Sequence, residues 1–157
     1  MKPLVLGLGN ELLSDDAVGV LAARALREKL KDQADVVESS LSGMALLEFL
    51  IGYERAIIID AIKTGRQAPG TICELGLADL GPIAAPSPHY AGLPELLATA
   101  QQLQLNFPKE IKIFALEVED PYTVGGGLSP SAEQVLEELI GRVEQQIERW
   151  VLTPAAE

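Results

Sequence analysis

Cysteine and histidine are each present once, as Cys73 and His89, in a chain of 157 residues. One thiol can form neither a disulfide framework nor a thiolate cluster for zinc. The cytoplasm is therefore the expected compartment. Cations are also scarce: twelve Lys and Arg stand against twenty-three Asp and Glu, a net charge of −11. Phosphate backbones are bound by clustered cations, so no nucleic-acid partner is expected. Long apolar runs are missing too. The opening PLVLGLG breaks at Asn10 and Glu11, and nothing approaches the roughly 20 residues of a membrane span. Neither a secretory signal nor a membrane partner is expected.

What the chain does have is 48% apolar residues and an ordinary 22% charged share, enough for one real core. The expected organisation is a single α/β domain over 1–152 and a loose tail over 153–157. PLVLGL (3–8) reads as a buried strand. Ser14 then reads as an N-cap, with Asp15 and Asp16 in the first turn of a helix from Ala17 to about Leu30. ADVVES (34–39) is a second strand, and Ser42 caps a helix through MALLEFL. RAIIIDA (55–61) is a continuous apolar run, as a strand covered on both faces requires.

The loop after Asp60, IKTGRQAPG, is too short for a crossover helix, so TICELGL (71–77) is expected to return antiparallel to the third strand. SPHYAGLP leads into a helix ending near Leu105, and KIFALEV (112–118) is the last strand. A final helix from Pro130 to Trp150 carries Val135, Leu139, Val143, Ile147 and Trp150 as one stripe. The order β-α-β-α-β-β-α-β-α predicts a three-layer α/β/α sandwich with a mostly parallel five-stranded sheet and one antiparallel strand.

Ligands of such sheets gather outside the carboxyl ends of the strands. Asn10, Glu11, Asp15 and Asp16 follow the first strand, Glu38 ends the second, Asp60 ends the third, and His89 enters the third long helix. Gly7-x-Gly9 hints at dinucleotide binding, but the third glycine of that fingerprint is replaced by Leu12. Asp15 and Asp16 would also repel a pyrophosphate. No G-x-S-x-G elbow is present. The Asp-Thr-Gly turns of pepsin-like proteases are missing, since Asp16 precedes Ala17-Val18 and Asp60 precedes Ala61-Ile62. Asp15 is explained by a helix start or a neighbouring loop. Asp16, Asp60 and His89 would instead make two carboxylates and an imidazole at one sheet edge. That set suits a divalent first-row ion and leaves coordination positions open.

GLGNELLSDDAVG (7–19), IIIDAI (57–62) and SPHYAGL (87–93) together resemble the hydrogenase maturation endopeptidases, with the same element order over nearly the whole chain. The resemblance implies a phosphorylase/hydrolase-like fold. It also implies a protease that removes the C-terminal extension of a nickel-iron hydrogenase large-subunit precursor after nickel insertion. By position, Asp16, Asp60 and His89 fall on the metal-binding residues, with Asp16 and Asp60 as the aspartates of the peptidase chemistry. The nickel belongs to the substrate, no intrinsic cofactor is expected, and cadmium or zinc would serve as stand-ins in vitro. The loop after Glu38, with Ser40, Leu41 and Ser42, would touch substrate together with Asn10. It departs from the family's Gly-Gly-Thr pattern, and Pro94 forces a kink in the helix after His89 or a separate turn at 88–92 before the helix proper. Peptidyl-tRNA hydrolases also open with GLGN, but they continue with Pro-Gly and an early catalytic histidine, which this chain lacks. A metallochaperone that holds the precursor without cutting would use the same three ligands.

Overall fold

The computed structural model describes residues 1–41, 45–76, 79 and 93–153. Its centre is a five-stranded sheet: β1 (Leu4–Leu8), β2 (Asp35–Ser39), β3 (Arg55–Ile62), β4 (Ile72–Gly76) and β5 (Glu110–Glu117). The strand order is β2-β1-β3-β5-β4. All neighbours are parallel except β4, which runs antiparallel to β5. The expected α/β architecture is the one found. One neighbour differs. β4 returns antiparallel, but β5 takes the edge of β3 along its full length, from Arg55↔Glu110 to Ile62↔Glu117, and β4 pairs on the outside of β5.

Among the described residues, four α-helices cover the sheet: α1 (Val18–Lys29), α2 (Ala45–Leu50), α3 (Leu93–Gln102) and α4 (Pro130–Leu152). Alternate residues of each strand face opposite layers. Val5, Ile57, Ile59, Phe114 and Leu116 pack with Leu26 of α1 and with Leu139, Val143, Ile147 and Trp150 of α4. Leu4, Leu6, Leu8, Ile58 and Ile113 pack with Leu46 and Leu50 of α2 and Leu97 of α3. Both faces of the central strands are thus dry, which is why β3 is apolar without alternation. Among the described residues, no helix is long and apolar enough to cross a membrane.

Two local expectations change, at Ser14 and at the aspartate pair. Ser14 is not an N-cap. It sits at φ 38° in a 3₁₀ turn, Ser14–Ala17, that precedes α1, and its hydroxyl donates to Gly127 O at 2.8 Å. Asp15 and Asp16 therefore belong to that turn and not to the first turn of α1. Gly7 lies inside β1, and its missing Cβ serves packing: a Cβ there would stand 2.2 Å from Gly19 O, so α1 rests directly on the strand. Pro94 falls in the first turn of α3, which starts at Leu93, so the described helix begins at the proline, and 88–92 lie outside the described residues.

At the amino edge of the sheet, Arg55 Nη1 donates to the carbonyls of Trp150 (3.0 Å) and Thr153 (2.6 Å), satisfying the end of α4. Its guanidinium lies over the Trp150 ring, 5.4 Å from the centroid. Nε stands 3.2 Å from Glu110 Oε1, close enough for an ion pair but not aligned for a hydrogen bond. Thr153 is thus tied down, and the rest of the expected tail, 154–157, lies outside the described residues.

Candidate active site

The last pair between β1 and β3 is Gly7↔Ile59, so Asp60 is the first β3 residue beyond it, at the carboxyl edge where β1 gives way to a loop. β3 does not end at Asp60. β5 carries it on to Ile62, which leaves Asp60 inside the strand and fully buried. Its Oδ1 accepts the Ala61 N–H at 2.9 Å, and by alternation with Ile58 and Ile62 the side chain leaves the sheet on the α2–α3 face.

Asp16 arrives from the other side of the same edge, on the 3₁₀ turn that packs against β3. The turn begins at Gly9, with φ at 145°. Asn10 Oδ1 accepts the Leu12 N–H at 3.0 Å, closing an Asx turn, and Asn10 N–H donates to Asp16 Oδ2 at 2.7 Å. The asparagine side chain is thus engaged in shaping the turn that points its own N–H at Asp16. Asp16 remains half-buried.

Asp15, one residue earlier, is 0% exposed. Its Oδ1 accepts Ser129 N–H (2.7 Å), and its Oδ2 accepts Asp120 N–H (3.0 Å) and Ser129 Oγ–H (2.8 Å). It serves the neighbouring loop, between β5 and α4. Asp120 caps a further turn there, accepting the N–H groups of Tyr122 and Thr123 and the Thr123 hydroxyl. The Thr123 hydroxyl and the two amides, with help from Lys63, hold the Asp120 carboxyl below the usual aspartate range. Leu13 bridges to Val124, and Gly125 N–H donates to Leu12 O at 2.8 Å. Together these two loops form a ledge on which Leu12, Tyr122 and Val124 are 65%, 70% and 77% exposed.

Beside the Asp16 turn opens a cleft of about 470 Å³, lined by Asn10, Glu11, Arg24, Glu38, Ser39 and Ser40 among others. Arg24 projects into it from α1 and holds both flanking acids. Its Nη1 donates to Glu11 at 2.7 Å, and Nε and Nη2 clasp Glu38 at 2.9–3.2 Å. Hydrogen bonds from Arg24, and then its charge, keep the Glu11 and Glu38 carboxyls below the usual glutamate range. Glu38 therefore lines the cleft as half of an ion pair. Leu41 is exposed beyond it, its N–H donating to Ser39 Oγ at 3.0 Å.

The family of hydrogenase maturation proteases, HycI, matches residues 20–146. The chain belongs to that family. It is 33% identical over 149 residues to the hydrogenase 2 maturation protease of Escherichia coli K12, covering 91% of this chain and 88% of that one. The solved structure of the hydrogenase maturating endopeptidase HybD from E. coli superposes with a TM-score of 0.79 at 30% identity, over 95% and 93% of the two chains. The [NiFe] hydrogenase maturation protease HybD from Thermococcus kodakarensis superposes at 0.72 with 26% identity, over 94% and 99%.

Of the residues expected in the site of this hydrogenase maturation endopeptidase, Asp16 and Asp60 stand at the carboxyl edge on elements that pack together. Asn10, Glu38 and Ser40 line the adjoining cleft. His89 and Ser42 lie outside the described residues. Among the described residues, no three His, Cys, Asp or Glu side chains form a metal cage. Sequence reasoning passed over Arg24, whose position two turns into α1 carries no motif. It also passed over Ser129 and Asp120, which are linked to Asp15 only in space.

Proposed function

We propose that this endopeptidase removes the C-terminal extension of a nickel-loaded large-subunit precursor of a nickel-iron hydrogenase, recognising the substrate's nickel through Asp16, Asp60 and His89. The observation that carries the reading is that Asp16 and Asp60 lie on elements packed together at one sheet edge, with a cleft alongside, in a chain of this family. Two carboxylates offset the charge of a divalent ion, and a neutral imidazole adds a borderline-soft donor. The remaining positions on the metal are left to its ligands in the precursor. Holding the nickel places the scissile bond beside the carboxylates, and most of the rate gain comes from that positioning. Water is activated either by a carboxylate as base or by the metal as Lewis acid.

The cleft residues Asn10, Glu38 and Ser40, with Leu41 and Ser42, receive the chain around the cut. The exposed Leu12, Tyr122 and Val124 give the precursor an apolar surface to rest on. We assign the reaction to the cytoplasm, whose reducing conditions suit a chain with one cysteine.

Mass spectrometry of a nickel-loaded precursor incubated with the protein tests this. The expected result is loss of the C-terminal extension, abolished by Asp16→Asn and by Asp60→Asn and absent with nickel-free precursor. An intact precursor, under conditions where a related protease succeeds, would sink the reading and favour a metallochaperone that binds without cutting.

A further inference from the structure

Asp15 has more partners than a helix start requires. Acids that favour a helix dipole sit at its first turn, usually in solvent. Asp15 is fully buried and stands three residues before α1. Its two oxygens take three donors, two of them backbone N–H groups, all from the segment between β5 and α4. Its own N–H donates back to Asp120 O at 2.9 Å, which makes the link to Asp120 reciprocal. Such charge-assisted bonds are about twice as strong as neutral ones. The segment they hold contains Gly125, Gly126 and Gly127 at φ 80°, 84° and 67°. Gly125 N–H and Gly127 O also bond the turn, to Leu12 O and the Ser14 hydroxyl, but among the described residues Asp15 supplies the only charged acceptor between the two.

On the opposite side, Asp16 is held by one backbone donor, Asn10 N–H. The Asp16 N–H donates to Leu13 O at 2.8 Å, so the placement of the carboxylate depends on how the 3₁₀ turn as a whole is held, with Asp15 the adjoining link. We propose that Asp15 is a positioning residue: by locking residues 120–129 against the 3₁₀ turn, it sets where the Asp16 carboxylate stands. The proposal rests on the reading of Asp16 as a reacting or nickel-binding group.

Asp15→Asn tests it without a change of volume. The amide replaces one acceptor by an NH₂ group. The Ser129 hydroxyl can turn to accept from it, whereas the N–H of Ser129 or of Asp120 cannot. Ser129→Ala is the milder variant, losing the hydroxyl while keeping both backbone donors. The first readout is the ¹⁵N NMR resonance of the Asn10 amide, which reports its bond to Asp16 Oδ2 whether or not the protein turns over. The second is kcat for cleavage of nickel-loaded precursor, measured where the variant is fully folded.

We expect Asp15→Asn to move the Asn10 resonance and to lower kcat about 10- to 100-fold, since an ångström of misplacement is enough for such a loss, with KM nearly unchanged. A purely structural role would lower the unfolding midpoint and leave both readouts at wild-type values, and that result overturns the proposal. Should Asp15→Asn fail to fold, Ser129→Ala is read in the same two ways, and wild-type values for both overturn it. A wild-type protein that does not cut the precursor would defeat the functional reading, while the Asn10 resonance would still decide the positioning role.

Discussion

Asp15 and Asp16 carry the same charge on adjacent residues, yet one is fully buried among three donors and the other is half-buried with one. The difference begins at Gly9. A Cβ at that position would stand 2.0 Å from Asp16 O and 3.7 Å from Asp16 Oδ2, on a backbone with φ at 145°. Only glycine lets the chain leave β1 and pass that close beneath the aspartate. Gly9→Ala is expected to strain the turn by about 1–3 kcal/mol and to push Asp16 aside. Cleavage of nickel-loaded precursor should fall roughly 100-fold while the circular dichroism spectrum stays native. Wild-type turnover would mean that Asp16 need not be placed so closely. The aspartate pair was visible in the sequence, and so was its place at the end of β1. The sequence also sets Asp15 apart from Asp16, as a residue of a helix start or a neighbouring loop; which residues of that loop it holds was hidden, because they lie 105 and 114 positions further along the chain.

Among the elements, α1 fixes the distance between the site and the sheet. It approaches β1 and β3 through Gly7 and Gly19, and a Cβ at Gly19 would stand 2.2 Å from Leu8 O and 2.5 Å from Ile59 O. These are backbone atoms in the centre of the sheet, which cannot turn away as a flexible side chain would. Gly19→Ala is therefore expected to destabilise the fold by about 1–3 kcal/mol or more, read as a lower midpoint in urea denaturation. An unchanged midpoint would show that α1 can slide outward at no cost. Elements with a strong period were legible in advance: β3 as an unbroken apolar run, and α4 through the stripe that packs Leu139, Val143, Ile147 and Trp150 into the core. The 3₁₀ turn at Ser14–Ala17 was not. Ser14 has the chemistry of an N-cap, but Gly127 claims its hydroxyl, a long-range bond that overrides local preference. The partner of β4 was hidden for a similar reason, since loop length fixes the direction of a strand without fixing its neighbour.

Across the whole molecule the two edges of the sheet are specialised, and they can be separated by experiment. The carboxyl edge carries Asp16, Asp60, the cleft and the apolar ledge. The amino edge carries the Arg55–Trp150–Glu110 group that closes α4. Arg55 has an 11% exposed side chain and donates to two carbonyls, so Arg55→Ala leaves the Trp150 and Thr153 carbonyls without that charged donor. A loss of about 1.5–3 kcal/mol is expected, the usual worth of hydrogen bonds from a charged group. Val124, 77% exposed on the ledge, has almost nothing to lose in the free protein. Val124→Asp should change stability by no more than about 0.5 kcal/mol. In the complex, however, it would set a carboxylate against the apolar surface of the precursor, and KM should rise about tenfold, the equivalent of 1.4 kcal/mol. Denaturation curves and precursor cleavage on both variants check the pair together. Arg55→Ala should shift the first and spare the second when assayed well below its melting point, and Val124→Asp should do the reverse. A Val124→Asp protein that binds precursor as tightly as wild type would move the contact surface off the ledge. The precursor would then rest on the cleft between α1 and β2, where Arg24 holds Glu11 and Glu38.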